Sequence, residues 1–156
     1  MEFLCPNHRR VFADLPLDEQ KELWLVWMEN AFARYEKGDW RNVITMSGSA
    51  FDLACLCHRH HDQCMHIELT LSAILVFRAL WDQGDHYGAD RVLARALEQL
   101  QPDGLCASDP DGCCGVEECM EVLLDTSMHC DFFADYLNWP TTPFAPRAAR
   151  PARVLH

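Results

Sequence analysis

The chain has 156 residues, which is the length of one ordinary globular domain. Apolar residues make up 49% and charged residues 24%, a balance that argues against intrinsic disorder. Thirteen Lys and Arg stand against 24 Asp and Glu, so the formal net charge is −11. Because nucleic acid is bound chiefly by clustered cations, this charge disfavours nucleic acid as a partner.

Export and membrane signals are missing from the sequence. No apolar run approaches the roughly 20 residues of a membrane-spanning helix. The sequence opens with Met1-Glu2-Phe3-Leu4, an acid where a signal peptide carries positive charge, and no apolar segment follows. We therefore expect a cytoplasmic protein without membrane contact, whose nine cysteines are thiols or metal ligands rather than disulfides.

Helical periodicity dominates the chain and predicts an all-α fold. In the first predicted helix, between Pro16 and Gly38, apolar residues recur every three or four positions. Four further helices are predicted at about 40–58, 64–83, 86–101 and 116–138, and a Gly/Asp/Ser/Pro-rich stretch from Pro102 to Gly115 predicts a loop. The pattern thus indicates one helical domain over residues 1–138, with an N-terminal extension (1–15). A Pro/Arg-rich tail (139–156), which we expect to be extended or disordered, follows it.

Two segments 46 residues apart repeat one local pattern. Residues 33–40 (ARYEKGDW) and 79–86 (ALWDQGDH) each carry an alanine, an aromatic residue, Gly-Asp and a ring, and each closes one helix and opens the next. They resemble the tetratricopeptide repeat, in which two antiparallel helices meet at such a turn. The resemblance covers about residues 24–101 and implies a TPR-like array of antiparallel hairpins. An ordinary helical bundle that uses the same turn twice is the alternative.

Stacked helix hairpins leave a concave groove that can hold a peptide or a helix. We therefore expect a small cytoplasmic adaptor or chaperone-like module that captures a protein segment. Aromatic residues suited to line this groove are Trp24, Trp27, Tyr35, Phe77 and Trp81. The same rings could instead fill the core. Ten acids and no Lys or Arg occur between residues 96 and 146, a surface that would attract a basic partner or the arginines of the tail. The same acids could instead serve solubility alone.

A cluster of cysteines and histidines suggests a second, different function. Thiolate and imidazole are the ligands that zinc prefers, and residues four apart share one face of a helix. Cys57 with His61, or His60 with Cys64, would supply two ligands, and Cys5 with His8 has the two-residue gap of half a zinc site. The alternative function is therefore zinc binding or metal sensing. Solvated histidines in a polar turn, beside buried cysteines, are the simpler explanation.

Catalytic signatures are not recognisable in the sequence. Glycine is scarce, and neither a phosphate-binding loop nor a nucleophile elbow is found. We therefore do not expect an enzyme. A thiol-redox function of the adjacent Cys113 and Cys114 is a third possibility, but a disulfide between neighbours closes a strained ring.

Overall fold

The computed structural model describes residues 2–56, 65–101 and 115–137. These residues form helices and no strand, which confirms the predicted all-α fold. In chain order the helices are α1 (Pro6–Ala13), α2 (Leu17–Glu36), α3 (Trp40–Leu56), α4 (His66–Asp82), α5 (His86–Leu100), α6 (Val116–Leu124) and α7 (His129–Tyr136). The loop predicted from Pro102 and the tail predicted from Trp139 lie outside the described residues.

Both predicted Gly-Asp turns are confirmed, and they share one hydrogen-bond pattern. The N–H of Gly38 and of Gly84 donates to the carbonyl three residues earlier at 3.0 Å. The N–H of Asp39 and of Asp85 donates to the carbonyl five residues earlier at 2.9 Å. The two glycines have φ angles of 72° and 85°, the left-handed conformation that this helix ending requires. The repeated sequence pattern therefore encodes two copies of one turn.

The segment expected to be an N-terminal extension contains a helix. Pro6 opens α1, where a missing N–H is harmless. An eight-residue helix is marginal alone, so its stability depends on tertiary contacts. The Phe12 ring meets the Trp27 ring edge-on at 5.5 Å, and Gln20 Nε2 donates to the Phe12 carbonyl at 2.8 Å. These contacts with α2, together with packing on α3, explain why a periodicity too short to predict a helix still forms one.

The prediction of one continuous helix over residues 116–138 is wrong. This segment divides into α6 and α7, with a short 3₁₀ turn at Thr126–Met128 between them. Asp125 has an extended backbone, and its carboxylate accepts hydrogen bonds from the Ser127 N–H at 3.0 Å and hydroxyl at 2.6 Å. Such local side-chain bonds compete with the helical hydrogen bonds, and here they interrupt the helix.

Helix α4 is the centre of the described bundle. It packs between α3 and α5, α2 packs on α3, and α6 and α7 cover α4 further along the chain. Apart from Arg78, all of its residues from 66 to 80 are buried. A helix that is apolar around most of its surface is stable only when neighbours surround it. None of the described helices combines the length and hydropathy needed to cross a bilayer.

Candidate functional site

The five aromatic residues predicted to line a groove separate into core and surface. Trp24 is 1% exposed and Phe77 is 6% exposed, so both are core residues and neither offers an accessible wall. Trp24 is buried because it shares the inward stripe of α2 with Met28 and Ala31. Trp27 and Tyr35 are half-buried, whereas Trp81 is 42% exposed. Only the surface around Trp81 thus combines a predicted residue with substantial exposure.

Trp81 belongs to a continuous row of four rings, His129, Phe77, Trp81 and His86, here called the aromatic row. The Trp81 ring stacks on His86 with centroids 4.0 Å apart and on Phe77 at 5.7 Å. His129 meets Phe77 edge-on at 5.6 Å. The row thus begins on α7, crosses α4 and ends on α5, and it fixes the orientation of the exposed tryptophan.

The helices and the second Gly-Asp turn assemble this row. Phe77 and Trp81 are four residues apart on α4, so their side chains share one face. His86 is the first residue of α5 and is brought against Trp81 by the turn. At the first turn Tyr35 and Trp40 make the equivalent contact, edge-on at 5.5 Å. The repeated aromatic positions in the sequence are therefore ring pairs that close the two turns.

His129 anchors the buried end of the row. Its side chain is 4% exposed, and Nε2 has no hydrogen-bond partner among the residues that the structure describes. Burial lowers the pKa of His129, and the nearby Arg78 charge acts in the same direction, whereas the backbone near Leu123 and Val122 and the Asp125 charge oppose the shift. A neutral imidazole is therefore the stable form near pH 7, which suits an edge contact with Phe77.

The surface around Trp81 is apolar and carries charges of both signs, since Arg91 also lies over the Tyr87 ring at 5.6 Å. Residues 81–87 are all exposed, and Tyr87, beside His86, is 72% exposed. Asp82 and Asp85 lie in this stretch, and Arg78 forms an ion pair with Asp82 at 3.5 Å. An exposed aromatic ring flanked by carboxylates can accept a cationic side chain by cation–π and charge attraction.

Four of the six predicted metal ligands, Cys57, His60, His61 and Cys64, lie outside the described residues. The remaining predicted pair is close: Cys5 Sγ and His8 Nδ1 are 3.3 Å apart and exposed. Within residues 2–56, 65–101 and 115–137, no three His, Cys, Asp or Glu side chains form a group suited to a metal ion.

The structure does bring together two chain positions next to cysteine-rich sequence. A Cβ at Gly115 would lie 3.8 Å from His66 Nε2, and the Cys119 thiol is 4.0 Å from the His66 carbonyl oxygen. In the sequence His66 follows Cys64 by two residues, and Gly115 directly follows Cys113-Cys114. Spacing along the chain does not reveal this proximity, since 49 residues separate the two positions.

Two buried carboxylates were missed by sequence reasoning. Asp52 accepts hydrogen bonds from the backbone N–H groups of Phe3 and Leu4 and forms an ion pair with Arg95. Glu68 is 3% exposed, and burial raises its pKa to about 7, although the Lys21 charge opposes this shift. Both acids stand within apolar helical sequence, which was the available signal.

The chain matches no protein-family model, no curated protein and no solved structure.

Proposed function

We propose that the protein is a small cytoplasmic adaptor or chaperone-like module that captures a basic protein segment at the aromatic row. The observation that carries this proposal is Trp81, an exposed tryptophan stacked against Phe77 and His86. A rigid, partly exposed tryptophan gives large contact area at little entropic cost, and this residue type is enriched where binding energy concentrates. The aromatic row is the part of the expected groove surface that this proposal uses.

A TPR-like array of helix hairpins is part of this proposal. Its support is that the turns at residues 37–39 and 83–85 share hydrogen bonds and ring contacts, and that α2 packs on α3 and α4 on α5. In such an array each hairpin presents equivalent positions, so the Tyr35–Trp40 pair corresponds to the Trp81–His86 pair. The second pair is the more exposed, which makes it the binding member.

The partner's charge follows from the surface. Asp82 and Asp85 flank Trp81, and the whole chain carries a formal charge of −11. An arginine or lysine side chain can lay its aliphatic stem on an aromatic ring and keep its charge near carboxylates. A segment with basic and apolar residues therefore fits better than an acidic one, and its binding should weaken as salt is added.

The test uses two synthetic twelve-residue peptides that carry leucine and tryptophan at the same positions. All remaining positions are arginine in one peptide and glutamate in the other. We expect wild-type protein to bind the arginine peptide, and Trp81→Ala to weaken this binding at least tenfold. Tyr35→Ala is the matched control, because it removes the equivalent ring at the first turn. Equal binding of both peptides, or no loss with Trp81→Ala in a protein that keeps its helical circular dichroism, would refute the proposal.

Zinc binding or metal sensing is the second candidate, and the observation that favours it is the proximity of His66 to Gly115, where a Cβ would lie 3.8 Å from His66 Nε2. Gly115 directly follows Cys113-Cys114, and His66 stands two residues after Cys64, at the end of the segment that holds Cys57, His60 and His61. Two such segments can supply the four thiolate and imidazole ligands of a structural zinc site. Because structural zinc is bound tightly, it survives purification without a chelator.

Elemental analysis of the full chain tests this second candidate. We expect about one zinc per chain, lost in Cys57→Ser/Cys64→Ser and retained in Cys130→Ser, a cysteine on α7. Loss of zinc in Cys5→Ser would assign the Cys5 and His8 pair to the same ion. Less than about 0.2 metal per wild-type chain would exclude a structural site.

A further inference from the structure

Residues 2–5, here called the N-terminal arm, are held by a buried carboxylate of α3. Asp52 Oδ2 accepts the N–H of Phe3 at 2.6 Å and that of Leu4 at 2.8 Å. The other carboxylate oxygen, Oδ1, accepts a hydrogen bond from Nη1 of Arg95, a residue of α5. Asp52 therefore accepts hydrogen bonds from two consecutive main-chain N–H groups. Any extended segment without proline at those two positions can donate the same bonds.

The Phe3 ring occupies a notch that exists because residue 48 is glycine. An ideal Cβ on Gly48 would lie 2.6 Å from Phe3 Cε1 and closer still to two other ring atoms. Glycine in the middle of a helix costs about 1 kcal/mol relative to alanine, so α3 is weakened at this position to admit the ring. The ring and the two N–H contacts make a small, defined recognition surface.

Charge adds a third element of recognition. Glu2 forms an ion pair at 2.9 Å with Arg9, a residue of α1. An acidic residue is thereby favoured directly before the aromatic one. Arg9, Gly48 and Asp52 together favour an acid, then an aromatic residue, then an aliphatic residue in an extended backbone.

We propose that Gly48, Asp52 and Arg95 form a second peptide-binding site, for an acidic–aromatic–aliphatic segment of another protein, and that the N-terminal arm is its intramolecular occupant. The arm shows which chemistry the site accepts, because it fills the site with main-chain N–H groups and a single ring. A tethered occupant acts at an effective concentration of the order of millimolar. A partner segment must therefore compete with the arm, which keeps the site closed to weak ligands.

This site goes beyond the function proposed for the aromatic row. It uses α3 and α5 residues outside the row, and it prefers an acidic rather than a basic segment. Trp81→Ala leaves it intact, so failure of either proposal does not decide the other.

The test measures binding of a fluorescent peptide with the sequence of residues 2–13, with Cys5→Ser to prevent disulfides, to the full-length chain. Phe3→Ala weakens the arm and keeps the notch, so we expect it to bind the peptide about tenfold more tightly than wild type. This factor corresponds to about 1.4 kcal/mol, what partial burial of a phenylalanine contributes. Phe3→Ala/Gly48→Ala should lose the gain, because the added methyl group closes the notch while improving the helix propensity of α3.

Equal peptide affinity for Phe3→Ala and Phe3→Ala/Gly48→Ala would overturn the proposal, because the notch would then recognise nothing in trans. Circular dichroism and thermal melting of both variants separate this result from unfolding. Concentration-dependent dimers of the wild type that Gly48→Ala abolishes would also overturn it, since the occupant would be the arm of a second copy. Peptide binding that is tight in Phe3→Ala and lost in Phe3→Ala/Gly48→Ala, in a monomeric protein, supports the site as proposed.

Discussion

Glu68 gives the molecule a pH-dependent stability that a single substitution can isolate. Its side chain is buried at the start of α4, and Oε2 has no hydrogen-bond partner among the residues that the structure describes. Burial raises its pKa from an ordinary value of 4.5 to about 7, against the opposing effect of Lys21. Glu68→Gln keeps the shape of the side chain and removes its charge.

The magnitude follows from the two pKa values. Each unit of difference between the folded and unfolded pKa is worth about 1.4 kcal/mol. Ionising Glu68 in the folded state therefore costs roughly 3 kcal/mol more than in the unfolded state. Below pH 4.5 the carboxyl is protonated whether the chain is folded or unfolded, and its contribution to stability is fully retained. Between pH 4.5 and about 7 the folded protein binds the extra proton, so stability falls as pH rises and levels off above pH 7.

Urea denaturation of wild type and Glu68→Gln across pH 5–8 measures this effect as a difference, in which the other titrating groups largely cancel. We expect the variant to gain free energy of unfolding relative to wild type as pH rises, by roughly 3 kcal/mol in total. Lys21→Met should move the midpoint of the wild-type curve to higher pH, because an opposing charge is removed. A difference that stays constant with pH would show that Glu68 ionises as easily folded as unfolded.

Three further outcomes are expected. Gly84→Ala should lower the free energy of unfolding by about 1 kcal/mol in urea denaturation, because φ is 85°, and Gly84→Asn should lower it less; an unchanged value would contradict the turn geometry. Arg95→Met should lower the free energy of unfolding by roughly 3 kcal/mol, because it leaves the Asp52 charge buried without its ion pair. Adding Asp52→Asn should restore part of this loss, and strictly additive losses would contradict the explanation. Cys55 is buried with its pKa raised to about 12, so iodoacetamide at pH 8 should label exposed Cys5 far faster, as followed by peptide mass spectrometry; equal rates would place Cys55 at the surface.

Features that depend on residues close together in the sequence were predictable from it. The turns at Gly38 and Gly84 follow from local chemistry, since only glycine adopts their backbone conformation easily and an aspartate follows each one. The periodic segments that became α2, α3, α4 and α5 were long enough for their pattern to be unambiguous. By contrast, α1 depends on contacts with Trp27 and Gln20 that arise only in the folded chain.

The candidate site was only partly predictable, because exposure is a property of the assembled bundle. Trp24 and Trp81 are the same residue type on helical segments, yet one is buried and the other exposed. α4 is apolar on most sides, so periodicity does not reveal which of its side chains reach the surface. The contact of His129 with Phe77 depends on the break at Asp125, which the continuous helical pattern concealed.

The two proposed sites have opposite charge preferences and share α5. His86, in the aromatic row, and Arg95, at the arm-binding site, are nine residues apart, which is about 13 Å along a helix. Substitutions separated by this distance usually have additive effects. Trp81→Ala should therefore leave binding of the arm peptide unchanged, and Gly48→Ala should leave binding of the arginine peptide unchanged. A coupling between them would require α5 to move as a unit, and the stacking of Trp81 on His86 is the contact through which it would act.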